Sequence, residues 1–201
     1  MGKLFCLIGK SASGKDTIYR RLLDDASLSL KPVVTYTTRP KRSGESEGVE
    51  YHFTDEAQLE SFRREGRVLE ERIYHTVYGD WHYFTADDGQ VILDEHSYII
   101  ITTPEALTGI TAYYGRERVV PVYITLDDGE RLERALKRER SQANPGYSEM
   151  CRRFLADEKD FSEENLAKAG VGEDSYFFNN ELSVCLSQIG EMIRRYGLSE
   201  D

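Results

Sequence analysis

The stretch that decides the fold is Leu4-Phe5-Cys6-Leu7-Ile8-Gly9-Lys10-Ser11-Ala12-Ser13-Gly14-Lys15-Asp16-Thr17, near the start of the chain. Its first five residues form a continuous apolar run, which is typical of a strand buried on both faces of a parallel sheet. Gly9, Gly14 and Lys15 then follow the spacing G-x-x-x-x-G-K-[ST], a loop whose backbone N–H groups surround a phosphate at a helix N-terminus. The sequence therefore predicts a strand, a phosphate-binding loop and a helix.

The residue types in this loop suit the binding of a nucleoside triphosphate. Glycine allows the tight turn and the close approach of the phosphate. Lys15 is expected to reach the β- and γ-phosphates as a point charge. The eighth position departs from the pattern, because Asp16 stands where a Ser or Thr hydroxyl normally holds Mg²⁺. The predicted ATP-binding residues are Gly9, Lys10, Ser11, Ala12, Ser13, Gly14, Lys15, Asp16 and Thr17.

Composition restricts the class of protein. The 201 residues are 39% hydrophobic and 31% charged, as in a globular domain, and no apolar run reaches the length of a membrane span. The net charge of −10 disfavours binding to nucleic acid or to an anionic membrane. Three widely spaced cysteines, Cys6, Cys151 and Cys185, predict neither a zinc site nor a disulfide framework. We expect a cytoplasmic protein without a signal peptide, either a monomer or a weak homodimer.

Strand and helix patterns alternate along much of the chain. Further strands are predicted at 32–36, 49–53, 68–74, 98–102, 118–126 and 175–178, and helices at 55–65, 104–114, 128–140, from 148 to beyond 166, and at 181–196. Predicted N-caps are Thr54, Thr85 (for a helix through residue 94), Thr103 and Asp127, with Gly197 as the residue that ends the last helix. About five core strands alternating with helices predict an α/β fold with a three-layer parallel sheet. The small β elements at 36–95 read as an inserted substrate subdomain.

Two clusters of cations could hold a phosphorylated small molecule despite the acidic net charge. The first is Arg39-Pro40-Lys41-Arg42, in a loop that ends at Gly44. The second lies on the helix predicted at 128–140, where Arg131, Arg134 and Arg138 recur at helical spacing. These arginines could also form a solvent-exposed face that pairs with Glu130 and Glu133.

Several separated motifs together resemble the guanylate kinase family of nucleoside monophosphate kinases, over nearly the whole chain. These are the phosphate loop, Thr35-Tyr36-Thr37-Thr38-Arg39-Pro40-Lys41-Arg42, Gly48-Val49-Glu50-Tyr51-His52-Phe53, Val68-Leu69-Glu70 and Tyr78-Gly79. The resemblance implies a P-loop kinase fold with an inserted NMP-binding subdomain and a helical lid. It implies a single domain at 1–201, with its core at 1–35 and 96–201, its insert at about 36–95 and its lid at about 138–152.

The resemblance also implies roles for individual residues. Arg39 and Arg42 would grip the phosphate of GMP together with Tyr51, and the Glu70 carboxylate would accept hydrogen bonds from guanine. Asn179 would lie beside the ATP adenine. The implied GMP-binding residues are Thr35, Arg39, Arg42, Tyr51, Glu70, Tyr78 and Asp80. The implied catalytic residues are Lys15, Arg134, Arg138 and Arg153, with Arg140 as an additional candidate.

The implied activity is ATP-dependent phosphorylation of GMP or dGMP, with Mg²⁺ as cofactor and small-molecule nucleotides as partners. One alternative is a ribose 1,5-bisphosphate phosphokinase or another kinase of a small phosphate acceptor, which Asp16 favours. A second alternative, from another class, is a non-catalytic binding module, which the intact phosphate loop disfavours.

Three positions depart from the family pattern. Thr102-Thr103-Pro104 stands where the family has an Asp-x-Asp pair near the guanine and the metal, and Asp80 replaces a small hydroxyl residue. Asp16 is the third departure. We hypothesise that Asp16 moves a metal-coordinating carboxylate into the phosphate loop, because Mg²⁺ accepts oxygen ligands of either kind.

Overall fold

The computed structural model describes residues 1–42, 44–76 and 79–198. Its strands are β1 Leu4–Ile8, β2 Leu30–Pro32, β3 Tyr36–Thr37, β4 His52–Phe53, β5 Val68–Thr76, β6 Gly79–Ala86, β7 Ser97–Ile101, β8 Val119–Thr125 and β9 Tyr176–Phe178. Its α-helices are α1 Lys15–Asp24, α2 Glu56–Arg64, α3 Pro104–Tyr114, α4 Asp128–Arg140, α5 Tyr147–Asp160, α6 Glu163–Lys168 and α7 Leu182–Leu198. Among the residues in these ranges, no helix is long and apolar enough to cross a membrane.

The central sheet has five parallel strands in the order β2-β7-β1-β8-β9. Every residue of β1 is buried, because side chains alternate between two covered faces. Cys6 and its alternate neighbours pack with Leu107 of α3 and Leu166 of α6. Phe5 and Leu7 pack instead with helices α1 and α7. The predicted three-layer α/β fold is confirmed.

A second, four-stranded sheet is built from the segment between β2 and β7. Its order is β4-β3-β6-β5, and β5 and β6 form a long antiparallel hairpin. Helix α2 covers one face, where Leu59 and Phe62 pack against Phe84 and Ala86. This small sheet therefore has a hydrophobic core of its own.

The two sheets are joined where α3 packs closely against β5. Gly109 lies in α3, and a Cβ atom at this position would lie 2.6 Å from the Leu69 carbonyl oxygen and 2.9 Å from Glu70 Cβ. Both distances are shorter than an ordinary van der Waals contact. A glycine at position 109 thus lets the helix approach the strand that carries Glu70.

Capping predictions were partly right. Thr103 accepts from Ala106 N and is followed by Pro104 in the first turn, and the Asp127 carboxylate accepts from Gly129 N and Glu130 N, as expected. For α2 the prediction of Thr54 was wrong by one residue, since the side chain of Asp55 caps the helix by accepting from Gln58 N.

The helix predicted from Thr85 to residue 94 is wrong. Thr85 lies in β6, where pairing with β5 outweighs its local capping tendency. The prediction that the last helix ends before Gly197 is also wrong, because α7 continues to Leu198. The single helix expected from residue 148 is divided at Phe161, whose buried ring stacks on Tyr123 with centroids 5.7 Å apart.

Replacement of Gly109 with Ala should destabilise the protein by about 1–3 kcal/mol, because the new methyl group would overlap backbone and side-chain atoms of β5. A glycine-to-alanine change in an open helix position would instead be stabilising. Urea unfolding measures the difference.

Gly172→Ala is the matched control, since a Cβ atom there would have no neighbour within 4 Å and the φ of this glycine is −92°. The effect of this control on the free energy of unfolding should stay within about 0.5 kcal/mol. Equal stability of the Gly109→Ala variant and the unaltered protein would contradict the close packing.

Candidate active site

The phosphate loop connects the end of β1 to the first residue of α1. Ala12 and Gly14 both have positive φ, at 63° and 91°. Gly14 is the N-cap residue of α1 and provides no side-chain hydrogen bond to the helix, so the first N–H groups of the helix are not capped by a side chain. Uncapped N–H groups at a helix N-terminus bind anions. The predicted loop therefore adopts a geometry suited to a phosphate.

Both glycines of the loop are required by close packing. A Cβ at position 9 would lie 2.7 Å from the Ile124 carbonyl oxygen and from Ser13 Oγ. A Cβ at position 14 would overlap Asn179 Nδ2. The loop is thus held directly against β8 and against the residue that follows β9.

Asn179 supports the loop from the protein interior. Its side-chain Nδ2 donates to the Ser13 carbonyl oxygen at 2.7 Å. Its backbone carbonyl oxygen accepts from Arg134 Nη2 at 3.2 Å. Within the described part of the chain, the buried Ser13 Oγ and Asn179 Oδ1 have no hydrogen-bond partner. Asn179, which is predicted to lie beside the adenine, contacts the loop at Ser13. Arg134, which is predicted to be catalytic, contacts Asn179.

The charged residues of the loop differ in exposure. The Lys15 side chain is partly buried, whereas the Asp16 side chain is 67% exposed, with Lys15 Nζ 3.8 Å from Asp16 Oδ1. Lys10 Nζ lies 2.7 Å from Glu158 Oε1 on α5. The Asp16 carboxylate is therefore solvent-exposed beside Lys15, while Lys10 is held against α5.

A cavity of about 250 Å³ lies beside the loop, between α4 and α5. Its lining includes Ser11 of the loop and two of the predicted catalytic arginines, Arg138 and Arg153. Arg153 Nε donates to Glu149 Oε1 at 2.9 Å, and Arg152 binds the same carboxylate. The hydrogen bonds from Arg152 and then Arg153 lower the pKa of Glu149 to about 2.

A second basic site lies on the small sheet. Arg39 is only 3% exposed, and its two terminal nitrogens contact the Glu45 carboxylate at 2.7 and 2.8 Å. Its Nε donates to Tyr83 Oη at 3.0 Å, and the guanidinium lies 5.4 Å from the ring centroid of Tyr51. Arg42 is exposed, and its backbone N–H donates to the same Glu45 carboxylate at 2.8 Å. Arg39 and the Arg42 backbone thus share the Glu45 carboxylate, and the Tyr51 ring lies beside the Arg39 guanidinium.

Sequence reasoning missed Glu45 and Tyr83 in this cluster. Glu45 lies six residues after Arg39, in a stretch with other glutamates. The sequence therefore does not show which carboxylate pairs with Arg39. Tyr83 comes from β6 and reaches Arg39 through pairing of β3 with β6. No local signal in the sequence identifies either contact.

The remaining predicted GMP-binding residues are spread along the small sheet. Glu70 is buried, with Thr85 Oγ1 donating to its Oε1 at 2.7 Å and Arg72 Nε donating to its Oε2 at 3.3 Å. Asp80 lies further along the hairpin, where it contacts His75 Nδ1 at 2.7 Å, and the structure does not bring it to Glu70. The Thr35 carbonyl accepts from His52 N. Tyr78 lies outside the described residues.

A larger cavity of about 740 Å³ lies between the small sheet and the core. Arg72 and Tyr74 of β5 line one side, Thr103 and Glu105 line another, and the ends of α5 and α6 complete it. Thr103 follows the carboxyl end of β7, which is next to β1 and its phosphate loop. Ligands of open parallel sheets bind at such strand ends, and the volume suits a small-molecule ligand.

Comparison with known proteins identifies relatives of this chain. The family model for guanylate kinase matches residues 1–164. A guanylate kinase from Porphyromonas gingivalis is 27% identical over 198 residues, which cover 98% of both chains. A guanylate kinase from Coxiella burnetii is 40% identical over 82 residues, covering 39% of each chain. The alignment with the Coxiella burnetii protein therefore spans less than half of that protein's length.

A solved structure shares the fold. The crystal structure of guanylate kinase from Anaplasma phagocytophilum superposes with a TM-score of 0.64 at 20% identity, covering 99% of this chain and 88% of the other. The family model covers well over half of the 201 residues and includes the phosphate loop, the small sheet and both cation clusters. The chain belongs to the guanylate kinase family.

Proposed function

We propose that this protein transfers the γ-phosphoryl group of ATP to the phosphate of GMP or dGMP, giving ADP and GDP or dGDP. The observation that carries the proposal is the phosphate loop, with its left-handed Ala12 and Gly14 and its uncapped helix N-terminus. A second anion site around Arg39 lies on the small sheet, as a reaction between two phosphorylated molecules requires. Membership of the guanylate kinase family supports the choice of GMP.

The proposed donor site comprises residues 9–17 and Asn179. The N–H groups at the N-terminus of α1 would hold the phosphates of ATP, since the Ser11 and Ser13 N–H groups donate to Asp157 and to the Lys10 carbonyl oxygen. Lys15 would neutralise charge on the transferred group. Arg138 and Arg153 line the cavity beside Ser11 and are proposed to contact the phosphoryl group as it moves. Arg134 would act on the loop through Asn179, whose carbonyl oxygen it contacts.

The proposed acceptor site lies on the small sheet. Arg39, Arg42 and Tyr51 would bind the phosphate of GMP, which then competes with Glu45 for the Arg39 guanidinium fork. Thr85 and Arg72 hold the Glu70 carboxylate, and its remaining lone pairs could accept hydrogen bonds from guanine. Thr35, Tyr78 and Asp80 stay predictions as acceptor contacts.

The phosphate of the acceptor is already an anionic nucleophile, so the reaction needs no strong general base. The protein contributes alignment and charge neutralisation. We propose that an insert at about 36–95 and a lid at about 138–152 close over the core at 1–35 and 96–201 and exclude water that would otherwise hydrolyse ATP.

The residues of the loop fit a magnesium ion bound together with phosphate oxygens. Mg²⁺ prefers oxygen ligands and is commonly held by one or two carboxylates plus substrate phosphates. Asp16 offers one exposed carboxylate next to Lys15, and the described part of the chain contains no group of three or more metal-binding side chains. When bound, Mg²⁺ would neutralise charge on the phosphates of ATP. Asp16 would hold it.

The first prediction concerns the substrates and Lys15. A coupled assay of ADP release with Mg-ATP should show turnover with GMP and dGMP, and little with AMP, UMP, CMP or ribose 1,5-bisphosphate. The Lys15→Ala variant should lose about 100- to 1,000-fold in kcat, because a charge that stabilises the transferring group is removed. Lys31→Ala, at an exposed position on the edge strand β2, is the matched control and should keep its activity. Turnover of the sugar bisphosphate alone, or of no acceptor, would contradict the proposal.

The second prediction concerns Asp16. Its replacement with Ala should raise the Mg²⁺ concentration needed for half-maximal activity about 10-fold, because one oxygen ligand is lost. Calorimetry measures the affinity of the protein for Mg-ATP and for metal-free ATP. The ratio of these two affinities should be about 10-fold smaller in the Asp16→Ala variant than in the unaltered protein. Asp24→Ala, at the other end of α1, is the control. An unchanged Mg²⁺ requirement in the Asp16→Ala variant would exclude this role.

The third prediction concerns Glu45. The hydrogen bonds from Arg39 lower the pKa of Glu45 from 4.5 to about 2. A lowered carboxylate pKa stabilises the folded state above about pH 4.5, and this stabilisation is lost as the pH falls through about 2. NMR titration of the side-chain carboxyl carbon of Glu45 should show the low midpoint.

Two comparisons test the cause of the low pKa of Glu45. Arg39→Gln should return the midpoint toward 4.5, and saturating GMP should raise it if the phosphate displaces Glu45 from the guanidinium. A midpoint near 4.5 in the unaltered protein would show that the ion pair does not form in solution.

A further inference from the structure

Arg131 of α4 is the largest fully buried side chain among the described residues, at 1% exposure. Its guanidinium contacts three carboxylates: Asp128 Oδ1 at 2.7 Å, Glu158 Oε1 at 3.1 Å and Asp157 Oδ2 at 3.5 Å. The ring of Phe154 lies 4.6 Å from it. We call Arg131, Asp128, Asp157 and Glu158 the Arg131 network. A buried ion network is often no more stabilising than an apolar core of the same volume, so its presence here suggests a role beyond stability.

The Arg131 network binds the phosphate loop directly. The Ser11 N–H donates to Asp157 Oδ2 at 2.7 Å, and the Ser11 carbonyl oxygen accepts from Arg131 Nη1 at 3.2 Å. Lys10 Nζ, one residue earlier, contacts Glu158 Oε1 at 2.7 Å. Both backbone polar groups of Ser11 are therefore bound by side chains of α4 and α5, which lie more than 100 positions away in the sequence.

The same helix face carries a proposed catalytic arginine. Asp157 follows Arg153 by four residues on α5, so the two side chains lie on one face, about 6 Å apart along the helix axis. Ser11, Arg138 and Arg153 line the cavity beside the loop. Asp157 thus contacts the loop from the helix that also carries Arg153.

We infer that Asp157, held by Arg131, is a positioning residue that fixes Ser11 of the phosphate loop against the face of α5 that carries Arg153. Asp157 acts through Ser11 and Arg153 rather than on the reacting atoms. This inference rests on the proposed function, in which Arg153 contacts the transferred phosphoryl group. A misplacement of about 1 Å between such groups lowers turnover on the order of 100-fold.

The test compares Asp157→Ala with Asp157→Asn. In Asp157→Ala, kcat should fall about 10- to 100-fold, while KM for GMP stays within about twofold because the acceptor site lies on the other sheet. Asp157→Asn should recover a large part of the loss, because its side-chain oxygen can still accept from the Ser11 N–H. Glu133→Ala, at an exposed position on α4, is the control for removal of a carboxylate.

A double-mutant cycle separates positioning from general destabilisation. If Asp157 acts by aligning Arg153, Asp157→Ala should cost less than about threefold in kcat when Arg153 is already Ala. Equal losses in both backgrounds, an unchanged kcat in Asp157→Ala, or a loss confined to KM for GMP would each overturn the inference.

Hydrogen exchange gives a readout that does not depend on activity. The Ser11 amide should be protected in the unaltered protein and should exchange at least about 10-fold faster in Asp157→Ala, with Asp157→Asn in between. If the unaltered protein transfers no phosphoryl group, the proposed function fails, whereas the exchange of Ser11 still decides whether Asp157 anchors the loop. An unprotected Ser11 amide would overturn the anchor. If Asp157→Ala does not fold, Asp157→Asn and the Ser11 amide of the unaltered protein carry the same test.

Discussion

The structure depends on the close packing of the phosphate loop against the strands that follow it. No Cβ fits at position 14 because Asn179 Nδ2 occupies that space, and none fits at position 9 because the Ile124 carbonyl oxygen and Ser13 Oγ do. This packing fixes the loop backbone while leaving the N-terminus of α1 without a side-chain cap. N–H groups held in place at a helix N-terminus bind an anion with little reorganisation, which is the basis of electrostatic catalysis.

Carboxylates of the protein hold several of the groups that are proposed to meet phosphate. Glu45 holds Arg39, Glu149 holds Arg153, and Asp157 accepts from the Ser11 N–H. Hydrogen bonds from Arg39 lower the pKa of Glu45, and those from Arg152 and then Arg153 lower the pKa of Glu149. In the proposed function a phosphate would compete with Glu45 and Glu149 for these arginines, which the two carboxylates orient in the structure. Asp157 differs because Arg131 compensates its charge inside the protein.

Two of the three departures from the family pattern lie at the phosphate loop and at the cavity between the sheets, whereas Asp80 lies further along the hairpin. Thr103 and Pro104 line the cavity between the sheets, in the segment that the resemblance aligns with an Asp-x-Asp pair, and Asp16 adds a carboxylate to the loop. On the hypothesis that Asp16 binds Mg²⁺, the metal-binding carboxylate would lie at the start of α1 instead of the end of β7. Glu70 is left as the buried carboxylate of the acceptor side, fixed by Thr85 and Arg72.

The sequence by itself determined the features that depend on local chemistry, whereas only the tertiary structure decided those that depend on contacts between distant segments. The apolar run of β1, the glycine spacing of the loop and the caps Thr103 and Asp127 each specify their structure within a few residues. The order of the motifs was enough to indicate the guanylate kinase family. By contrast, Thr85 forms part of a strand rather than a helix cap because it pairs with β5. Arg131 could belong to a solvent-exposed face by its spacing, yet it is buried because α5 brings Asp157 and Glu158 to it. Local sequence cannot encode which distant charge will satisfy a buried one.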